Sequence, residues 1–194
     1  MGNEKDVVEW RRFGHWRPSA EKAHFSAFLL WNMQDSTMLN DVIRECDYRN
    51  GDANLAVTEA FHRESAVALE LIIKAVIAGQ LQARGADPEK EGVPANHDIP
   101  KLWCEATLPE LGREDKYRLL LVKSVLMWSG RYATPRTWQA WAEENKAFDM
   151  LEDPPPKPGT YVIRTPITLG WSDFDRLYQM AKAHLPRSAY ATQL

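Results

Sequence analysis

An up-and-down bundle of five to seven α-helices, folded as a single domain over residues 1–194, is the architecture this sequence predicts, and three observations predict it. The run from about Asn54 to Gln82 is long and nearly all apolar. The segments on either side of it carry apolar residues at the i, i+4, i+7 and i+8 spacing of helices with one buried face. Turn residues and stretches containing Gly or Pro separate these segments, as the short connections of a bundle require.

Taken in order, the first 18 residues mix charge with Trp10, Phe13 and Trp16, and Arg17-Pro18 favours an extended or turn conformation ahead of the proline. Ser19 then reads as the N-cap of a helix running from Ala20 to about Asn32, with Ala23, Ala27, Leu30 and Trp31 on its buried face. A shorter amphipathic segment, Met38 to Cys46, follows, and the turn-rich run Tyr48 to Asn54 leads into the long central helix. Gly79 and Gly85 bracket the end of that helix, and Arg84 to Asn96 forms a loop. Asn96 or His97 caps a short helix with Ile99, Leu102, Trp103 and Ala106 facing inward, and Pro100 is tolerated because the first turn has no intrahelical use for its N–H. Glu114 to Trp128 is the next helix, ending at Gly130, and Thr137 opens another that carries Trp138, Trp141 and Ala142. The prolines between Asp153 and Gly159 make a stiff connector. Tyr161 to Thr168 reads as a small extended segment, and Ser172 begins a last helix ending near His184.

On the central helix Glu59, Arg63, Glu70 and Lys74 project within about 60° of one another if each residue turns about 100°. The acid precedes the base by four residues in each pair, an order that supports helices. Such a stripe reads as a solvated seam; the sharper alternative is the wall of a polar groove.

Composition narrows the function. With 44% apolar and 26% charged residues, a net charge of −3 and a pI near 6.0, the chain has the make-up of an ordinary globular protein and no global field for nucleic acid or anionic membranes. Any nucleic-acid site must therefore be a local patch. Cys46 and Cys104 are too few for a disulfide framework and read as buried thiols of a reducing, cytoplasmic protein. The polar start, Met1 to Asp6, shows no targeting signal, and the apolar run Ser65 to Gly79 is interrupted by Glu70 and Lys74, so no membrane span is expected. The five histidines fall in separate elements without an i,i+4 pair, so no metal is expected, and with no Gly-rich phosphate loop, nucleophile elbow or HExxH no cofactor is implied.

Three local runs recur in a recognisable order: Leu69-Glu-Leu-Ile-Ile-Lys74-Ala, then Asn96-His97-Asp98-Ile-Pro-Lys-Leu-Trp103, then Trp128-Ser-Gly-Arg131-Tyr132-Ala-Thr-Pro135. Over about residues 58–136 this order resembles the HEPN family of helical bundles. The resemblance implies a bundle core at about 20–150, with the extended segment and last helix at 151–194 outside it. It also implies a homodimer and a role in toxin, defence or nucleotidyltransferase-partner systems. The ribonuclease members of that family share an Arg-x(4–6)-His motif late in the bundle. Here Arg131 has no such His after it, and the literal match, Arg17 to His24, lies early and has Pro18 next to the Arg. The catalytic inference therefore does not carry over.

Lys74, His97, Arg131, Tyr132 and Arg136 are the candidate ligand-binding residues, grouped around one polar cleft that could meet a phosphate or an RNA backbone. Capping is the competing account of His97-Asp98, and helix closure that of Arg131-Tyr132. Three functions follow: a HEPN-like protein without a ribonuclease motif that binds a nucleotide, RNA or protein partner; a divergent metal-independent ribonuclease using His97 or His24 with Arg131; and an interaction module presenting Trp138, Trp141 and Trp171.

Overall fold

The computed structural model describes residues 13–49, 51–87, 90–129, 138–149, 151 and 167–186. Among them seven α-helices follow in order: α1 (Phe13–Met33), α2 (Thr37–Glu45), α3 (Ala53–Ala83), α4 (Ile99–Glu105), α5 (Arg113–Ser124), α6 (Trp138–Asp149) and α7 (Trp171–Lys182), with a π-helical turn, Val125–Ser129, continuing α5. The described residues contain no strand, and the fold is an all-α bundle as the periodicity predicts. Most of the expected extended segment, residues 161–166, lies outside the described residues.

The bundle is organised around α3. Asp52 opens it by accepting from the backbone N–H groups of Asn54 and Leu55. It closes on Gly85 at φ +69°, whose N–H reaches the Gln82 carbonyl while that of Ala86 reaches Leu81, so the last turn's carbonyls are satisfied. Every residue from Ile72 to Gly79 is buried, as expected of a helix that is apolar on all sides and sits in a core. By length and composition α3 could cross a membrane, yet 67% of its most apolar window is covered within the bundle. The cover comes from α1, α4, α5 with its π-turn, and α7. Helix α1 runs antiparallel along α3, with Trp31 beside Phe61 at one end and Trp16 beside Lys74 at the other. It buries Ala20, Ala23 and Ala27. On a further side, Arg176 of α7 clasps Asp115 of α5 through both carboxylate oxygens at 2.6 and 2.9 Å, and Arg118 reaches Asp173 at 3.2 Å.

Three expectations are corrected. Helix α1 begins at Phe13, ahead of Pro18, which lies inside it. The proline forfeits the N–H bond to Gly14, but Trp16 packs onto the core, the Ser19 hydroxyl donates to the His15 carbonyl and Arg17 pairs with Glu21 across the gap. The α4 cap is Asp98, which accepts from the Lys101 N–H, while Asn96 accepts from the Asp98 N–H, so His97 is free of capping. Cys46 and Cys104 are exposed rather than buried: Cys46 caps the C-terminus of α2, and Cys104 faces away from the side of α4 that buries Ile99, Leu102 and Trp103.

Candidate functional site

The charged stripe of α3 divides at its middle. Glu59 and Arg63 stand in solvent, whereas Glu70 and Lys74 are 7% and 4% exposed. A seam stays solvated only where no neighbour lies over it, and here the early turns of α1 and the loop ahead of α4 do. The Trp16 ring lies 5.5 Å from Lys74 Nζ, close enough for a cation–π contact. The solvated-seam reading therefore fails for the second pair.

Glu70 Oε1 accepts from Lys74 Nζ at 2.5 Å and from His97 Nδ1 at 2.9 Å. A buried ion pair is tolerable when further hydrogen bonds take up its remaining capacity, and His97 does this for Glu70. A carboxylate can only accept, so Nδ1 carries the proton, and in neutral His97 the other ring nitrogen is left as an acceptor. The His97 side chain is 42% exposed.

Of the five candidate ligand-binding residues, the structure thus brings Lys74 and His97 to one carboxylate oxygen; Arg131, Tyr132 and Arg136 lie outside the described residues. Lys74 is engaged by Glu70 and out of reach of a phosphate in solvent. Beside Trp16 a cavity of about 350 Å³ is lined by His15, Trp16, Ser19 and Leu71.

A second polar cluster lies between α1 and α7. Arg17, Glu21 and His24 share one face of α1 at i, i+4 and i+7. Glu21 Oε1 takes Arg17 Nε at 3.0 Å and Lys182 Nζ at 3.4 Å. Burial works against its charge, but the two cations prevail and hold its carboxyl below the usual range. His24 Nε2 bonds Asp175 Oδ1 at 2.8 Å, and its ring stacks on Tyr178 at 4.2 Å. Desolvation first, and then the Glu21 charge, push the buried Tyr178 hydroxyl well above its ordinary range. The sequence reading set the Arg17–His24 motif match aside because it lies early in the chain and has Pro18 next to the Arg. Their i,i+7 spacing was the available signal, and a helix passing through Pro18 puts both side chains on one face.

His62 is drawn below the ordinary imidazole value by burial, opposed by its bond to the Leu169 backbone. Among the described residues no group of three or more His, Cys, Asp or Glu is arranged to hold a metal ion. Trp171 packs against Phe28, His24 and Phe174 within the chain, whereas the side chains of Trp138 and Trp141 lie outside the described set. No family model, curated protein or solved structure matches this chain.

Proposed function

We propose that this chain is a HEPN-like helical bundle that binds a nucleotide or RNA, with His97 as the group that meets the ligand and the Glu70–Lys74 pair as the buried base that holds it in place. The shared Glu70 oxygen carries this reading. It fixes the His97 ring from one side, while Lys74 pairs with the same Glu70 oxygen. Such an imidazole donates to a phosphate oxygen when charged and accepts from a ribose hydroxyl when neutral. The order of the Lys74, His97 and Arg131 motifs supports the choice of ligand class.

Fluorescence anisotropy with a labelled single-stranded RNA and with nucleoside triphosphates tests it. His97→Gln is expected to weaken binding about tenfold or more, the worth of one charge-assisted hydrogen bond, while leaving the melting temperature nearly unchanged. Equal affinity in wild type and His97→Gln removes the reading.

A second reading, a metal-independent ribonuclease, is favoured by the α1–α7 cluster. Asp175 orients His24, and Arg17, paired with Glu21, lies on the same helical face. Cleavage of RNA in the presence of a chelator, abolished by His24→Ala, is its expected outcome; intact RNA after prolonged incubation with wild-type protein eliminates it.

A further inference from the structure

The cavity beside Trp16, about 350 Å³ in volume, falls within the range of pockets that take a small molecule. Helix α1 supplies three of its described walls. His15 and Ser19, one turn apart and exposed, border it toward solvent, and the partly buried Trp16 indole forms a flat apolar wall; Leu71 of α3 supplies the fourth. No Asp, Glu, Lys or Arg is among the described lining residues, and Lys74, the buried cation beside the indole, is paired with Glu70. Such walls suit an uncharged group, and an indole offers that group a face to stack on. Ser19 adds a polar requirement. Its hydroxyl proton is committed to the His15 carbonyl at 3.1 Å, so toward the cavity the oxygen can only accept, and a ligand group that meets it must donate. The cavity also lies close to His97. The Trp16 ring is 5.5 Å from Lys74 Nζ, which is 2.5 Å from Glu70 Oε1, which is 2.9 Å from His97 Nδ1, three links that end to end are no longer than a nucleoside triphosphate.

We propose that this cavity is a base-binding subsite for a nucleobase with an exocyclic amine, such as adenine, stacked on Trp16 with the amine donating to Ser19 Oγ. The choice of a nucleobase rests on the reading of His97 as a nucleotide- or RNA-binding group; the choice among bases rests on the hydroxyl. Every base has a face that stacks on an aromatic ring, so Trp16 supplies affinity without selecting. Ser19 selects. Where adenine has its amine, the hypoxanthine of inosine has a carbonyl, which sets one acceptor against another and leaves both without a donor. A nucleotide whose base is held here has its phosphates within reach of His97.

Equilibrium dialysis of adenosine and of inosine against the full chain tests the subsite with no phosphate present. The wild type is expected to bind adenosine about tenfold more tightly than inosine, the worth of one hydrogen bond made instead of an acceptor left unpaired. Ser19→Ala, which removes the acceptor, is expected to bring the two affinities together. Ser19→Phe places a ring in the cavity from an exposed position, and Trp16→Leu removes the stacking face; each is expected to raise the adenosine Kd about tenfold or more. Trp16 also covers Lys74, so far-UV circular dichroism accompanies both variants, and Ser19→Phe decides alone if Trp16→Leu does not fold. Absence of adenosine binding overturns the proposal, as do equal wild-type affinities for the two nucleosides or an adenosine Kd unmoved by Ser19→Phe. Failure here is separable from failure of the His97 site. Adenosine that does not bind, beside RNA that still distinguishes wild type from His97→Gln, removes the cavity alone; adenosine lost in Ser19→Phe, beside RNA indifferent to His97→Gln, does the reverse.

Discussion

Removing either member of the Glu70–Lys74 pair strands the other where water does not reach, because the two side chains are 9% and 5% exposed. Lys74→Met is therefore expected to lower the unfolding free energy by about 3–5 kcal/mol, whereas the double variant Glu70→Leu/Lys74→Met, which leaves no stranded charge, costs much less. Urea denaturation of the three proteins checks this; equal losses in single and double variants would assign the effect to packing instead of charge. Two other residues contribute to the acid limb of stability. The folded state lowers the pKa of His62 below 6.5, mainly by burial, so the unfolded chain binds its proton more readily. That contribution is present above pH 6.5 and is lost as pH falls through the lowered folded value. Asp115 is held below 3.8 chiefly by its hydrogen bond to Arg176, so its contribution is present above pH 3.8 and is lost on further acidification. Urea midpoints measured against pH should fall in two stages, with His62→Gln removing the first and Arg176→Gln shrinking the second. A profile unchanged in His62→Gln would show that another group drives the first stage. At this scale the sequence showed Lys74 and His97 as candidates and Glu70 as the acid four residues before Lys74. It did not show the pair buried, because that depends on where Trp16 lands.

Helix boundaries followed the chain's own signals where a capping residue was present and failed where packing overruled one. Ser36 accepts from the Leu39 N–H to open α2, and Asp52 opens α3, each within a residue or two of the expected start. Pro18 gave the opposite signal, and α1 nevertheless continues through it. The cost is a missing hydrogen bond to Gly14 and crowding by the ring, so Pro18→Ala is expected to raise the unfolding free energy by up to about 3 kcal/mol. Chemical denaturation measures the gain; a loss of stability in Pro18→Ala would mean that the proline's stiffness matters more than its broken bond. The extra turns ahead of Ser19 bring Trp16 over Lys74 and align Arg17 with His24.

At the scale of the molecule, α1, α4, α5 and α7 all bury their apolar faces against α3, which leaves few contacts that do not pass through it. Loss of any one of these helices exposes α3, so unfolding is expected to be cooperative. Thermal melts followed by far-UV circular dichroism and by tryptophan fluorescence should coincide. A separate early transition in either signal would identify a part of the chain that melts without exposing α3.

By itself, the sequence determined the fold class and the central position of α3, because these depend on the period of apolar residues along the chain. The tertiary structure decided the rest. Burial of Glu70 with Lys74, the joining of His24 to Asp175 across 151 positions, and the exposure of Cys46, Cys104 and Phe25 all depend on which helix covers which face. A helix's periodicity states that it has a face to bury; which neighbour covers that face is settled by the packing of elements distant in sequence, and short-range patterns carry no record of it.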